Sequence, residues 1–351
     1  MAEPEPDVPA TQPEPGRPRH GRFGLFAPFA ALALIAVAWS AGWVWVRGRA
    51  VQEIDAWLGA EAAAGRRWDC PGREVGGYPF RIEVVCPTLT LVQPGGSLRL
   101  GRVLVVAQIY DPRFIKAEIN GPVRLEQGDV VADGTWRLAE ASLRLQGAAV
   151  LQRFALAVQE PAFQITGGAF EGVPVSARRV EFHLRPNPGR AEGEAAYDAS
   201  LSAAGAVLPG LDELVGGTEA ADLAADTTVT QVRDVGARGS VADRIDRWRG
   251  EGGRVEIART ALTKGPRRIE ASGEVGLDEA HRLQGTVQAS ATKLDGLVGP
   301  LTGGLAGALA GRAAREAAEP GLRPLPPLRL DRGRLFLGPL PVPGVRLAPL
   351  Y

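Results

Sequence analysis

The most constraining feature of this chain is an uncharged, apolar run of 24 residues that extends from Phe23 to Val46. An α-helix rises about 1.5 Å per residue, so the run would be about 36 Å long, enough to cross a hydrocarbon core of about 30 Å. Indole rings favour the membrane interface, and three lie near its C-terminal end: Trp39, Trp43 and Trp45. The sequence therefore predicts one transmembrane helix over residues 23–46.

Charges on either side of this run indicate its orientation. Arginines precede it at positions 17, 19 and 22 and follow it at 47 and 49, where Glu53 and Asp55 dilute the second group. Because positive residues favour the cytoplasmic side, we predict a cytoplasmic N-terminus and an exported remainder of the chain. The alternative is a cleaved signal peptide, since Ala38-Trp39-Ser40 resembles a small-x-small cleavage site, although the run is longer than a typical signal core.

The segments that flank the run have different compositions. Residues 1–22 are rich in Pro and Glu, with few large apolar side chains, and are expected to form a disordered cytoplasmic tail. Residues 47–69 are expected to form a helical stalk, with a helix from Arg49 that stops near Gly65. Its helical spacing is carried by Val51, Ile54, Trp57 and Leu58.

The remaining residues, 70–351, read as short strands with one apolar and one polar face. The alternation begins at Tyr78, Pro87 resets its parity, and Gly, Pro and Asp interrupt the later runs at short intervals. This pattern is typical of an antiparallel meander. The predicted fold class is mainly β (α+β): an N-terminal transmembrane helix, then an elongated, twisted antiparallel β-sheet domain packed with a few helices.

The clearest pair of strands is a predicted hairpin over residues 268–291, with a turn at 278–281. Apolar and small residues keep one parity on both strands, and polar residues keep the other. Small residues on the apolar face would leave room for an acyl chain. The candidate apolar groove consists of Ala271, Gly273, Val275, Gly285, Val287 and Ala289.

Two further helices are predicted within this part of the chain. The first begins near Ser240, carries an apolar stripe through Ile245 and Trp248, and ends at Gly252-Gly253. The second covers 293–318, where glycines at 303, 307 and 311 indicate either close packing on the sheet or helix pairing in a membrane. A Pro-rich segment and a last strand over 328–337 are expected to close the chain.

Cys70 and Cys86 are the two cysteines of the chain. In an oxidising compartment a pair this close in sequence is expected to form a disulfide, whereas in the cytosol both would remain free thiols. Closing a loop of about 16 residues stabilises a fold by roughly 3 kcal/mol in the chain-entropy model.

Motifs for chemistry are missing from the sequence. The 40 basic residues balance the 40 acidic ones, so no net field would attract nucleic acid. His20, His183 and His281 have no second His or Cys at ligand spacing, and neither a Gly-x-Ser-x-Gly elbow nor a phosphate-binding loop occurs. We therefore expect no enzyme activity, no catalytic residues, no metal and no cofactor.

Several segments together resemble one bacterial family, domain of unknown function 2125. They are Trp68-Asp69-Cys70, Gly77-Tyr78-Pro79-Phe80-Arg81 followed by Cys86, Trp248 with Gly252-Gly253 and Val255, and Leu337-Gly338-Pro339-Leu340-Pro341. The resemblance covers about residues 25–350 and implies an inner-membrane anchor with a periplasmic domain. A more distant similarity to AsmA-like envelope proteins implies long sheets that carry lipid along an apolar groove.

Two functions remain open on the sequence alone. The first is binding or transfer of an envelope lipid, or another apolar ligand, along the sheet groove. The second is a structural or assembly scaffold that contacts other envelope proteins. The segment Gly76–Arg81 is similarly open, because it fits either a recognition loop or a turn in which Pro79 presets the start of a strand.

Overall fold

A computed structural model describes residues 23–147, 150–167, 170–209, 212, 217–233, 241–292 and 321–350. The chain divides into two compact units, residues 1–46 and 47–351. The predicted tail over 1–22 and the predicted helix over 293–318, with its three glycines, lie outside the described residues.

Helix α1 (Phe23–Ala63) begins in the first unit and ends in the second. Residues 23–46 are the part of the first unit that the structure describes. From Phe26 onwards this helix is long and apolar enough to cross a membrane, a property that a signal sequence would share. It ends at Ala63 because Gly65 takes a positive φ of 82°, a common helix stop. The predicted stalk over 47–69 is therefore too long: residues 67–69 form a strand instead.

The second unit consists mainly of strands. Those in its first half are β1 (Arg67–Asp69), β2 (Glu74–Gly76), β3 (Arg81–Cys86), β4 (Leu89–Gln93), β5 (Gly96–Leu100), β6 (Val103–Gln108), β7 (Asp111–Ile119), β8 (Val123–Gln127), β9 (Val130–Thr135), β10 (Leu138–Gln146), β11 (Val150–Gln159), β12 (Ala162–Gly167), β13 (Phe170–Ser176) and β14 (Arg179–Pro186).

A short 3-10 turn (Glu192–Glu194) and helix α2 (Val241–Gly250) interrupt the strands of the second half. These strands are β15 (Tyr197–Ala206), β16 (Ala221–Val229), β17 (Val255–Lys264), β18 (Arg267–Leu277), β19 (Leu283–Ala291), β20 (Arg323–Pro324), β21 (Leu328–Asp331), β22 (Arg334–Leu337) and β23 (Leu340–Arg346).

All pairings between these described strands are antiparallel, and they form two sheets. The smaller sheet has the order β1-β4-β5-β8-β9-β12-β13. The larger sheet has the order β2-β3-β6-β7-β10-β11-β14-β15-β16-β17-β18-β19-β21-β22-β23, with β20 beside β19. The mainly β fold class with an apolar N-terminal helix is therefore confirmed.

The smaller sheet and the first part of the larger sheet form one bent meander, and the larger sheet continues beyond it from β14 to β23. From β3 to β14 the chain repeatedly passes from one sheet to the other across only two or three residues: 87–88, 101–102, 120–122, 136–137, 160–161 and 177–178. Pro87, Pro122 and Pro161 stand at three of these bends, where a missing N–H is tolerated. Cys86, Val103, Val123 and Ala139 are buried beside the bend.

The disulfide between Cys70 and Cys86 is present, with the two Cα atoms 5.5 Å apart. It connects the segment after β1, in the smaller sheet, to the end of β3, in the larger one. The bridge therefore joins the two sheets at the edge of the meander that contains β1 and β2.

The predicted hairpin over 268–291 is confirmed, because Ile269 pairs with Ala291 and Leu277 with Leu283 in the expected register. The single last strand over 328–337 is wrong. Residues 332–333 form a turn there, so the segment becomes the hairpin β21–β22, and β23 follows it.

Glu61 holds the last turn of α1 against the chain that follows it. Its carboxylate accepts hydrogen bonds from Arg66 at 2.6 and 2.7 Å and from the Trp68 indole at 3.2 Å. The hydrogen bond from Arg66 lowers the pKa of Glu61 below its ordinary value of 4.5, against the opposing effect of burial. The indole of Trp68 also lies 5.8 Å from that of Trp57, which places the two rings side by side.

We expect Glu61→Gln to lower the free energy of unfolding by about 1 kcal/mol at pH 7, since the site is partly exposed. A carboxyl group whose folded pKa is depressed contributes stability above its unfolded pKa and loses it as pH falls through the folded pKa. The difference from wild type should therefore shrink below pH 4.5, as measured by thermal unfolding. Glu53→Gln is the control, because the Arg49–Glu53 pair is exposed; an equal loss there would contradict the assignment.

Candidate functional site

One face of the larger sheet is apolar across almost its whole width. Residues that pair directly on neighbouring strands project to the same side, so the register defines rows that cross the sheet. The middle row contains Val84, Val105, Ala117, Ala141, Leu156, Phe182, Leu201, Ala225, Thr260, Ala271 and Ala289. Its members are apolar at every position except Thr260.

Two more rows flank the middle one. The row beside the bend contains Cys86, Val103, Ile119, Ala139, Val158, Val180, Ala203, Leu223, Leu262, Ile269 and Ala291. The outer row contains Ile82, Ala107, Ile115, Leu143, Phe154, Leu184, Ala199, Thr227, Ile257, Gly273, Val287 and Leu328. We call these three rows together the apolar face.

The opposite side of the same strands is more polar, with carboxylates and serines among a few apolar residues. One row there contains Leu104, Glu118, Glu140, Ala157, Glu181, Ser202, Ala224, Ala261, Glu270 and Ser290. Two of its carboxylates pair with arginines: Glu181 with Arg179 and Glu270 with Arg259. The sheet is thus amphipathic, with water on one side and hydrocarbon side chains on the other.

Much of the apolar face is half-buried, and part of it reaches solvent. Leu201, at the centre of the middle row, is 38 % exposed. Phe182 pairs with it on the adjacent strand β14, and the Phe182 ring lies 6.1 Å from that of Phe154 on β11, centroid to centroid. An apolar face that is only partly covered and reaches solvent at Leu201 is a candidate interaction site.

A cavity of about 540 Å³ adjoins the outer row of this face. Its floor is sheet, formed by Leu184 of the outer row and by a short fourth row in which Val229, Val255 and Val275 pair in sequence. Its wall is helix α2, which contributes Ile245 and Trp248. The volume lies within the range of about 300–1,000 Å³ found for small-molecule sites.

Trp248 is fixed in this wall by contacts on both sides. Its indole N–H donates to the carbonyl of Thr230 at 2.7 Å. A Cβ on Gly253 would lie 2.3 Å from the indole, so the ring packs directly on the backbone after α2. Gly252 has a φ of 76° and ends the helix in a conformation that suits glycine. The Trp248 and Gly252-Gly253 motif therefore shapes the cavity wall.

The surface of the cavity is mainly apolar, but four charged side chains also line it. Arg233, Arg244, Arg247 and Glu251 are among its lining residues. Arg233 and Glu251 pair across 3.1 Å, so their charges compensate each other. This arrangement provides a mainly apolar surface with a few charged groups, which suits a ligand with a hydrocarbon part and a polar end.

The six predicted groove residues lie together on the apolar side of β18 and β19. They form three facing pairs: Ala271 with Ala289, Gly273 with Val287, and Val275 with Gly285. Val275 lines the cavity, whereas Ala289 is buried. Whether the remaining members contact a ligand stays a prediction.

The two glycines of the groove have a backbone reason to be glycine. Gly273 and Gly285 take φ values of 154° and 151°, which L side chains rarely adopt. A Cβ at these positions would lie 2.3 Å from the Thr286 carbonyl and 2.1 Å from the Glu274 carbonyl. Close approach of β18 and β19 therefore accounts for both glycines without a ligand.

Sequence reasoning found part of this site. The apolar stripe through Ile245 and Trp248 predicts the helix that forms the cavity wall. The alternation over 268–291 predicts that Val275 lies on the apolar side of its strand. Val229 and Val255 belong to separate strands, and only the register shows that they lie beside Val275. The three rows depend on the same long-range pairings.

One other polar feature, a buried lysine, has a structural role. Lys264 is fully buried, and its ammonium donates to the Asp212 carboxylate and the Glu219 carbonyl, each at 2.5 Å. These bonds satisfy the charge, as a buried lysine requires. In the described part of the chain, no group of three or more His, Cys, Asp or Glu side chains is placed to hold a metal ion.

The fold and the site define a class of protein: a long apolar helix, one among the described residues, followed by a bent antiparallel meander with one apolar face. The chain matches, over residues 43–345, the family described as uncharacterized protein conserved in bacteria, domain of unknown function 2125. It belongs to that family. No curated protein and no solved structure matches the chain.

Proposed function

We propose that this protein is anchored in the bacterial inner membrane by α1 and that residues 47–351 lie in the periplasm, where they bind the hydrocarbon chain of an envelope lipid. The apolar face is the observation that supports lipid binding. The Cys70–Cys86 bridge supports the location, because disulfides persist in oxidising compartments. The role proposed is binding or transfer, without catalysis.

The shape of the surface favours a chain-like ligand over a compact one. Its rows run across successive strands, and strands lie about 4.8 Å apart, so each row is a continuous apolar track. Removing apolar surface from water yields about 25 cal/mol per Å² and needs no directional partner. An acyl chain can therefore gain affinity at any position along the track.

The test is mass spectrometry of lipids retained by the full chain after purification in a mild detergent, for wild type and Leu201→Asp. Because Leu201 is 38 % exposed, we expect an aspartate there to stay hydrated in the free protein and to leave the fold in place. A lipid on the apolar face would remove that water, which costs at least about 1.4 kcal/mol for an ionised carboxylate. We expect about a tenfold loss of retained lipid.

His183→Asp is the matched control, since His183 lies on the opposite face of neighbouring strand β14, directly paired with Ser200. Lipid held around the transmembrane helix is common to both variants and cancels in the comparison. Equal lipid retention by the two variants would refute binding on the apolar face. If the wild type instead retains a protein partner and Leu201→Asp loses it, the scaffold function is favoured.

A further inference from the structure

Three exposed aromatic side chains cluster at one end of the larger sheet. Tyr78 and Phe80, in the turn before β3, are 57 % and 60 % exposed, and Tyr110, between β6 and β7, is 73 % exposed. The carbonyl of Phe80 accepts a hydrogen bond from the amide of Ile109 at 3.0 Å, which brings the two turns together. We call Tyr78, Phe80 and Tyr110 the aromatic tip.

The tip is tied to the point where the chain leaves the apolar run. Arg47 directly follows that run, and its guanidinium donates to the carbonyl of Val75 at 2.8 Å. Tyr78 is three residues beyond Val75, so the two lie within about 10 Å. A second contact, Arg73 with Asp55 at 2.6 Å, holds the same strand region against α1.

We infer that the aromatic tip inserts into the headgroup region of the lipid bilayer beside the anchor. Tyrosine rings favour that region, because the ring contacts hydrocarbon while the hydroxyl remains hydrated. The inference rests on the proposed membrane anchorage but not on lipid binding by the apolar face. It gives the segment Gly76–Arg81 a role in contact with the membrane surface.

The inferred contact between the aromatic tip and the bilayer depends on the aromatic rings more than on charge. Ion pairs near the tip are balanced, with Arg81 on Glu83 at 2.7 Å and Arg144 on Asp111 at 3.2 Å. Attraction to anionic lipid depends on excess positive charge and weakens with salt. Insertion of the tip is therefore expected to be the same in zwitterionic and anionic bilayers and at low and high salt.

The consequence for the fold is orientation at the membrane. Phe80 directly precedes β3, whose Ile82 begins the outer row of the apolar face. A tip held in the headgroup region would place this end of the apolar face beside the bilayer. Lipid could then move between bilayer and sheet over a short distance.

The experiment uses nitroxide labels on the full chain reconstituted in phosphatidylethanolamine vesicles, with and without phosphatidylglycerol. Both native cysteines are bridged, so a single introduced cysteine carries the label. Oxygen concentrates in lipid and a nickel chelate in water, and their relaxation effects report the depth of each label. The labelled variants are Tyr110→Cys, Val92→Cys in the smaller sheet, 55 % exposed, and Val37→Cys in the apolar helix, 67 % exposed.

The inference predicts that the label at 110 is accessible to oxygen and protected from nickel by at least several-fold relative to the label at 92. Equal nickel accessibility at 110 and 92, with a bilayer signature at 37, would overturn it and leave the anchorage intact. An aqueous signature at 37 would refute the anchorage itself. Protection at 110 that requires phosphatidylglycerol or low salt would overturn the aromatic contact in favour of an electrostatic one.

Discussion

Gly273→Ala is expected to destabilise residues 47–351 by about 2–4 kcal/mol, a large share of the 5–15 kcal/mol typical of a folded domain. The backbone at Gly273 has a φ of 154°, and a Cβ would meet the Thr286 carbonyl at 2.3 Å. That oxygen belongs to the facing strand β19, so relief requires β18 and β19 to separate. The measurement is the denaturant midpoint by circular dichroism.

Gly276→Ala, three residues further along β18, is the matched control. A Cβ there would have its nearest neighbour, the Gly253 carbonyl, at 3.5 Å, an ordinary contact. We expect a change within about 0.5 kcal/mol, as for most substitutions that create no strain. If both variants lose the same stability, the cause is loss of glycine in a strand in general, and the close approach assigned to Gly273 is refuted.

The stability expected for Gly273→Ala bears on the candidate apolar groove, because the sequence predicts that groove from the same small residues. Gly273 and Gly285 are required by backbone conformation, and Ala289 is buried, so small size alone does not identify a ligand site. The larger apolar surface lies on the strands before this hairpin, where Leu156, Phe182 and Leu201 belong to the middle row. The candidate site is therefore wider than the hairpin that first indicated it.

The hairpin over 268–291 could be predicted from sequence because its information is local. Unbroken alternation runs through both strands, and the turn between them fixes the register. The face across the whole sheet could not be predicted in this way. Pairing between β16 and β17 shifts between Asp226 and Thr227, and no feature of either strand alone specifies that irregularity.

The sequence indicates the bend between the two sheets less clearly than it indicates the hairpin. Pro87 resets the alternation, which the sequence shows, but a change of parity does not distinguish a bulge from a passage into another sheet. At the C-terminal end, the predicted strand over 328–337 contains its own turn. Arg332 and Gly333 both take positive φ, which suits a two-residue hairpin turn, and the Arg-Gly pair is a less familiar signal than Asn-Gly.

Absence of catalytic motifs from the sequence indicates no positive site, and the lack of enzyme activity stays a prediction. The apolar face emerges when polar and apolar residues are followed across strands, and the cavity emerges when α2 is placed over Val255 and Val275. Both are products of tertiary pairing between segments far apart in the sequence. The sequence shows the residue types, but only the fold shows that these residues lie close together.

Removal of the disulfide, by Cys70→Ala together with Cys86→Ala, is expected to lower the free energy of unfolding by roughly 3 kcal/mol. The bridge closes a loop of 16 residues, and freeing that loop raises the entropy of the unfolded chain. Alanine keeps the buried position 86 apolar, so the loss arises from the missing cross-link. Thermal unfolding of the full chain in detergent, with and without dithiothreitol, measures this loss.

Reduction of wild type should produce the same shift as the double variant, and dithiothreitol should leave the double variant unchanged. A larger loss in the variant than on reduction would assign part of the effect to packing around Cys86. The oxidation state of the two cysteines also reports the location of the chain. When cells are quenched in acid and then treated with an alkylating reagent, Cys70 and Cys86 should be alkylated only if the chain stays in a reducing compartment. Free, alkylated Cys70 and Cys86 in cells would contradict the periplasmic placement on which lipid binding in the envelope depends.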